Sequence, residues 1–212
     1  MNPQLNHIRA QEHIAELHRA AQTDRLATEA ASASCPADDG LVLADGTRLL
    51  VRPLNTDDRA GLAVLFDRLT PESRYRRFLS PKPELTPREL TYFTDIDHLH
   101  HEAFAAVDRR DGSIVGVGRY VQEPGRAGVA AVAVEVADEL QGMGIGTALA
   151  GRVVRRARAN GFALLTATAL WENRSARALL RRLGFRARGR DGGVIDLELD
   201  LDPTQGLAGA AA

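Results

Sequence analysis

The chain has 212 residues, enough for one domain with a buried core and an appendage. At 44% hydrophobic and 26% charged it has the balance of a globular protein, and a net charge of −1 excludes a global attraction to nucleic acid or to an anionic membrane. No apolar run approaches the ~20 residues of a membrane span, residues 1–4 lack the basic-then-apolar order of a signal peptide, and Cys35, the single cysteine, excludes an intrachain disulfide, so a cytoplasmic protein is expected.

Residues 4–31 are polar and alanine-rich, with Leu5, Ile8, Ile14, Leu17 and Leu26 near helical spacing, and predict one or two helices. Small and turn-forming residues at 32–40, Cys35 among them, read as a linker. From Asp45 the pattern tightens. Residues 47–54 predict a strand after the Asp45-Gly46 turn. Thr56-Asp57-Asp58 starts a helix carrying Leu62, Leu65 and Phe66. Thr70-Pro71-Glu72-Ser73 opens a short helix through Phe78, and Thr86-Pro87-Arg88-Glu89 another, with proline at the first helical position and glutamate set for a capping box. Strands at 103–107 and 113–121 are joined across Asp111-Gly112. Residues 128–137 read as a buried strand, a glycine-rich turn follows, and a helix runs from about 144 to Asn160-Gly161. A strand at 163–170, a helix at 173–183 and a hairpin at 185–188 and 194–201 complete the pattern; residues 204–212 read as a disordered tail. The expected organisation is a helical extension and linker at 1–44, one α/β domain (α+β in its segregation of helices and strands) at 45–203, and the tail.

The chemistry concentrates in Gln141-Gly142-Met143-Gly144-Ile145-Gly146, between a buried strand and a helix. First-turn amides of a helix have no intrahelical acceptor and carry partial positive charge, so the turn suits a phosphate. Glycines at 142, 144 and 146 keep side chains away from the backbone there. A Walker loop requires Gly-Lys-Ser/Thr, but Gly146 is followed by Thr147-Ala148. A dinucleotide fingerprint requires glycine at 147 or 149, where the chain has Thr147 and Leu149.

Gln141-x-x-Gly144-x-Gly146 resembles the Gln/Arg-x-x-Gly-x-Gly/Ala motif of the GCN5-related N-acetyltransferase (GNAT) family. Asn173-x-x-Ala176-x-x-Leu179-Leu180-x-x-x-Gly184-Phe185 is similar to that family's second cofactor-facing motif. Leu69-Thr70-Pro71-Glu72-Ser73-x-Tyr75-x-Arg77-Phe78 and Thr94-Asp95-Ile96-Asp97-His98 resemble stretches of its bacterial protein-lysine acetyltransferases. The resemblance covers roughly residues 45–201. It implies a mixed, mostly antiparallel sheet flanked by helices, with two central parallel strands that splay. Acetyl-CoA is the implied cosubstrate, its pantetheine arm pairing with backbone around Val134 and Val136. Its diphosphate would take the amides of Gln141, Gly142, Met143, Gly144, Ile145, Gly146 and Thr147, with the Thr147 hydroxyl and Asn173 as further contacts. One of Arg152, Arg155 and Arg156 is a candidate for the 3′-phosphate.

The implied acceptor is a primary amine, preferably a protein lysine, with a small-molecule amine as the runner-up. A non-catalytic acyl-CoA sensor is the rival from another class. Many relatives carry a glutamate ten residues before the motif's first position, which is Ala131 here. Glu135, roughly 13 Å further along the strand and on the same face, is the candidate general base. Where relatives often carry a tyrosine acid this chain has Leu180. A coenzyme A thiol, like a cysteine's, ionises not far above neutral, so a dedicated acid is helpful rather than obligatory. The cluster Asp95–Glu102 holds three histidines without a completing His/Cys cluster elsewhere, so no metal is expected. The mycobacterial relatives have a cyclic-nucleotide domain that the forty-odd residues before the domain are too few to form. A homodimer stays open, with residues 1–40 as a dimer contact or a lid.

Overall fold

The structure is a computed structural model in which residues 39–201 are described. The helices expected within 4–31, Cys35 and the tail from 204 lie outside the described residues. The sequence elements follow in order: strands β1 (Asp39–Val42) and β2 (Arg48–Pro53), and helices α1 (Arg59–Asp67), α2 (Pro71–Phe78) and α3 (Pro87–Thr94). Strands β3 (His101–Asp108), β4 (Ile114–Gln122) and β5 (Val129–Val136) precede helix α4 (Ile145–Ala159). Strand β6 (Leu164–Leu170), helix α5 (Arg174–Arg182) and the hairpin β7 (Arg186–Asp191) and β8 (Val194–Asp200) end it.

Two elements differ from expectation. β1 lies ahead of Asp45, in the stretch read as linker, and pairs Leu41 with Leu49. At four residues it is too short to show an alternating pattern. The helix expected from Thr56 starts instead as a 3-10 turn, Thr56–Asp58. There the Asn55 side chain accepts from the Asp57 amide, while Asp58 accepts from the Asn55 amide at 2.9 Å and from Arg52 at 2.6 Å. This reciprocal cap tightens the first turn.

All eight strands form one sheet in the order β1-β2-β3-β4-β5-β6-β8-β7. Only the β5–β6 pairing is parallel. Helices α4 and α5 cover one face with Leu149, Val153 and Leu180, over Val136, Leu165, Ile195 and Leu197. Helices α1 to α3 cover the other with Leu62, Leu65, Phe66, Phe78 and Phe93 over Ala103 and Ala105. Phe66, Phe78 and Phe93 form an aromatic chain with centroids 5.9 and 6.4 Å apart, each pair contributing about 0.5–1.5 kcal/mol beyond its burial. That chain fixes α2, which carries Arg77 over the Phe78 ring and against Glu135 of β5. Among the described residues no helix is long and apolar enough to cross a membrane.

Candidate active site

β5 and β6 pair only at Val129↔Leu164, Ala130↔Leu165 and Ala131↔Thr166. Beyond that β5 keeps its pairing with β4 as far as Val136, and β6 keeps its pairing with β8 as far as Leu170. The two central strands therefore open into a V. The Ala137 amide donates to Val115 O on β4, whereas Gly128 O accepts from the amides of Ala163 and Leu164, at the start of β6. By the alternation of an extended chain, the even residues of β5 turn their backbone groups toward β6. Within the V, Val134 and Val136 thus present amides and carbonyls that no strand pairs.

The groove so formed has a volume of about 360 Å³ and is lined by β5, β6, the glycine turn, α5 and one side of α2. At its wide end α4 begins without a side-chain cap. Gly142 and Gly144 have φ of +77° and +89°, a region L side chains adopt at a cost of about 1–2 kcal/mol. Their glycines are required by the backbone, since no atom lies within 4 Å of a Cβ built at either. The first helical donor is the Ala148 amide, to Gly144 O at 3.0 Å. Among the described residues none of the amides from 142 to 147 donates to a backbone carbonyl. Six donors thus gather at a helix N-terminus, with Gly142, Gly144, Gly146 and Thr147 lining the groove, an arrangement whose chemistry suits an anion.

The expected contacts sort out residue by residue. Met143 and Ile145 turn their side chains into the core, so they offer only their amides. Thr147 lines the groove. The Gln141 amide is spent on Asp138 O at 3.3 Å, so the cradle starts at Gly142 rather than Gln141. The Gln141 side chain donates to Asp138 at 2.6 Å and to Val136 O at 3.2 Å, bracing the end of β5. Asp138 also accepts from the Thr70 amide at 2.7 Å, tying α2 to the turn. Burial alone would raise the Asp138 carboxyl, but hydrogen bonds from Ser73 and Thr70 outweigh it and hold it below the usual range. Asn173 lines the groove and caps α5, its side-chain oxygen accepting from the Ala176 amide at 3.0 Å. Gly146 serves packing: a Cβ there would stand 3.1 Å from Leu179 Cδ1, so the glycine admits α5 rather than a ligand.

Glu135 lines the groove, its side chain 8% exposed. Arg77 Nε stands 3.2 Å from Glu135 Oε2, a charge contact rather than an aligned hydrogen bond. Arg119, on the strand beside it, is 3% exposed and bonds Phe93 O and His101 Nε2, each at 3.1 Å. Burial pushes its guanidinium down to about 10, and Glu135 opposes the shift. Glu135 is thus flanked by two cations, a setting no local sequence signal announces because they come from α2 and β4. Leu180 is buried in the core and offers no proton.

Two of the three arginines suggested for the 3′-phosphate are placed otherwise, while Arg155 is exposed on α4. Arg152 and Arg156 sit over the Phe104 ring at 5.5 and 5.9 Å, on the side of α4 facing β3. Arg156 pairs with buried Glu102 at 3.3 Å. The cations that do line the groove are Arg76, Arg77 and Arg182. Arg182 lies in the Asn173 helix, one turn beyond Leu179, which is the signal that could have found it.

The histidine-rich stretch is a latch. Asp97 Oδ1 accepts the amides of Leu99, His100 and His101, and His98 Nδ1 lies 2.8 Å from Glu102. That hydrogen bond raises the His98 imidazole above its ordinary value against the effect of burial. Among the described residues no group of three His, Cys, Asp or Glu is placed to hold a metal ion.

Comparison with known proteins accords with this geometry. Residues 67–185 match the family model described as Acetyltransferase (GNAT) family. The chain is 36% identical over 147 residues to Acetyltransferase PA5475 of Pseudomonas aeruginosa, covering 68% of this chain and 77% of that protein. It is 33% identical over 132 residues to Acetyltransferase Pat of Mycolicibacterium smegmatis, covering 62% of this chain but only 39% of that one. The crystal structure of the GNAT domain of S. lividans PAT superposes with a TM-score of 0.71 at 29% identity, covering 79% of this chain and 99% of that domain.

Proposed function

The chain belongs to the acetyltransferase (GNAT) family and is an acetyl-CoA-dependent N-acetyltransferase, and we propose that its preferred acceptor is a protein lysine, whose amine attacks the thioester directly without a covalent enzyme intermediate. The observation that carries the reading is the set of six unspent amides at residues 142–147, at the mouth of a gap between two splayed strands. The amides of 142–147 hold the diphosphate, and the backbone of Val134 and Val136 pairs with the pantetheine arm. The thioester is thereby laid along β5. The protein-lysine preference draws support from the likeness to Pat and to the S. lividans PAT domain. The cytoplasm, where acetyl-CoA and protein substrates meet, is the proposed compartment.

In the transfer the amine nitrogen bonds to the thioester carbon, the carbon–sulfur bond breaks, and the sulfur leaves with the electron pair. The attacking nitrogen must shed a proton, and Glu135 is the proposed acceptor, directly or through one water. Arg77 fixes the carboxylate in one orientation. Arg76 and Arg182 at the groove's rim hold anionic parts of the cosubstrate by charge. Leu180 supplies nothing to the departing thiolate, which takes its proton from solvent.

The test is acceptor-dependent thiol release. Acetyl-CoA is mixed with lysine peptides, polyamines, amino acids and intact proteins, and the acetylated product is located by mass spectrometry. Lysine peptides or proteins turning over with kcat/KM about tenfold or more above any small amine is the expected result. Small amines outrunning every peptide would transfer the assignment to the small-molecule class. Binding without thiol release on any acceptor would make the chain a sensor.

A further inference from the structure

The corner made by α5 and β7 carries a second surface, apart from the transfer groove. Between Trp171 and Asp191 the chain places seven arginines against two carboxylates, in a protein whose net charge is −1; of the seven, Arg188 is paired with Glu198 of β8 at 2.8 Å. Outside the groove lining, Arg174, Arg181 and Arg186 are exposed and have no ion-pair partner among the described residues. Trp171, the single tryptophan, is 38% exposed. Arg177 and Arg190 bring their guanidiniums within 3.7 and 4.1 Å of its ring centroid, joining the start of α5 to the end of β7.

Among the described residues β7 is the last strand of the sheet, paired on one side only, and all six of its residues are exposed. A strand edge of this kind offers a row of unpaired amides and carbonyls to another extended chain. Two features select which chain. A second copy of β7 laid antiparallel would set arginine against arginine, which is destabilising. The bulge between Ala187 and Gly189 adds the twist that guards an edge against its own kind. A segment with alternating carboxylates meets neither obstacle and satisfies charge and backbone together. Nucleic acid would use the charge alone, and the tryptophan face it would stack on is already taken by guanidiniums.

We infer that the β7 edge, with Arg174 and Arg181 of α5, docks an extended acidic segment of a partner protein, added to the edge of the sheet beside β7. The inference does not depend on which amine is acetylated. The tryptophan makes it directly measurable. The full chain is titrated with a capped octapeptide of alternating Glu and Val at low salt while intrinsic fluorescence is followed. A saturable change is expected. It weakens about tenfold or more in an R181E/R186E double variant and falls with added salt. Both residues lie outside the groove lining, so an unchanged acetyl-CoA affinity certifies that the variant is folded; R186Q is the milder second variant, expected to weaken binding in the same direction. A Lys-Val peptide is expected to give no change, and alternate backbone N-methylation of the Glu-Val peptide is expected to abolish binding. Absence of a fluorescence change with the Glu-Val peptide, binding indifferent to the arginine variants or to N-methylation, tighter binding of oligothymidylate, or self-association of the free chain by sedimentation would each overturn it.

Discussion

Gly144→Asp is expected to lower acetyl-CoA affinity about 100-fold or more while the fold survives. Position 144 has φ +89° with nothing within 4 Å of its Cβ. Aspartate tolerates that left-handed conformation better than most L residues, so the strain stays at about 1 kcal/mol or below. Its carboxylate, however, arrives where the amides of 142–147 converge. It repels a diphosphate and offers those amides a competing acceptor. Charge-assisted hydrogen bonds are worth about 1.5–3 kcal/mol each, so losing two already reaches the stated loss. Calorimetric titration and a thermal melt on the same sample separate the two effects. A variant that binds acetyl-CoA as tightly as the parent would remove the phosphate from this turn.

The second large effect is at Glu135. Truncation to alanine leaves Arg77 and fully buried Arg119 without their carboxylate, and breaking a buried charge pair in this way costs about 3–5 kcal/mol. Loss of turnover in Glu135→Ala is therefore uninformative alone. The double variant Glu135→Gln with Arg77→Gln removes one charge of each sign, and chemical denaturation is expected to return about half of the lost stability. If Glu135 takes the proton, kcat in the double variant stays down by about 100-fold or more. If it serves only as a counter-ion, turnover recovers along with stability, and the proton acceptor must be sought elsewhere on β5 or β4.

The contrast between these two sites shows what the sequence made legible. The glycine turn is a local device: strand, loop and helix follow one another, so the residues at 142, 144 and 146 announced the cradle without any tertiary knowledge. The splay of β5 from β6 was expected through family resemblance, and the three-residue pairing that ends at Ala131 and Thr166 accords with it. What escaped is long-range. Gly146 lends its amide to the turn, but the reason it must be glycine is set by Leu179 on another helix. Arg152 and Arg156 were candidates for the 3′-phosphate, yet α4 turns them over Phe104. The environment of Glu135 depends on Arg77 and Arg119, neither of which is near it in the chain. β1 escaped for a different reason, four residues being too few for a period to declare itself.

The central claim is that unspent backbone at 142–147, together with Val134 and Val136, receives acetyl-CoA. Amide hydrogen exchange of the full chain reads those groups directly. Without ligand the amides of 142–147, having no acceptor, are expected to exchange among the fastest in the domain despite lying at the head of a well-packed helix. Saturating acetyl-CoA is expected to slow them, with Val134 and Val136, by about 100-fold, while the far end of α4 changes little. Unchanged exchange at 142–147 under saturating acetyl-CoA, or protection confined to another part of the sheet, would contradict the account.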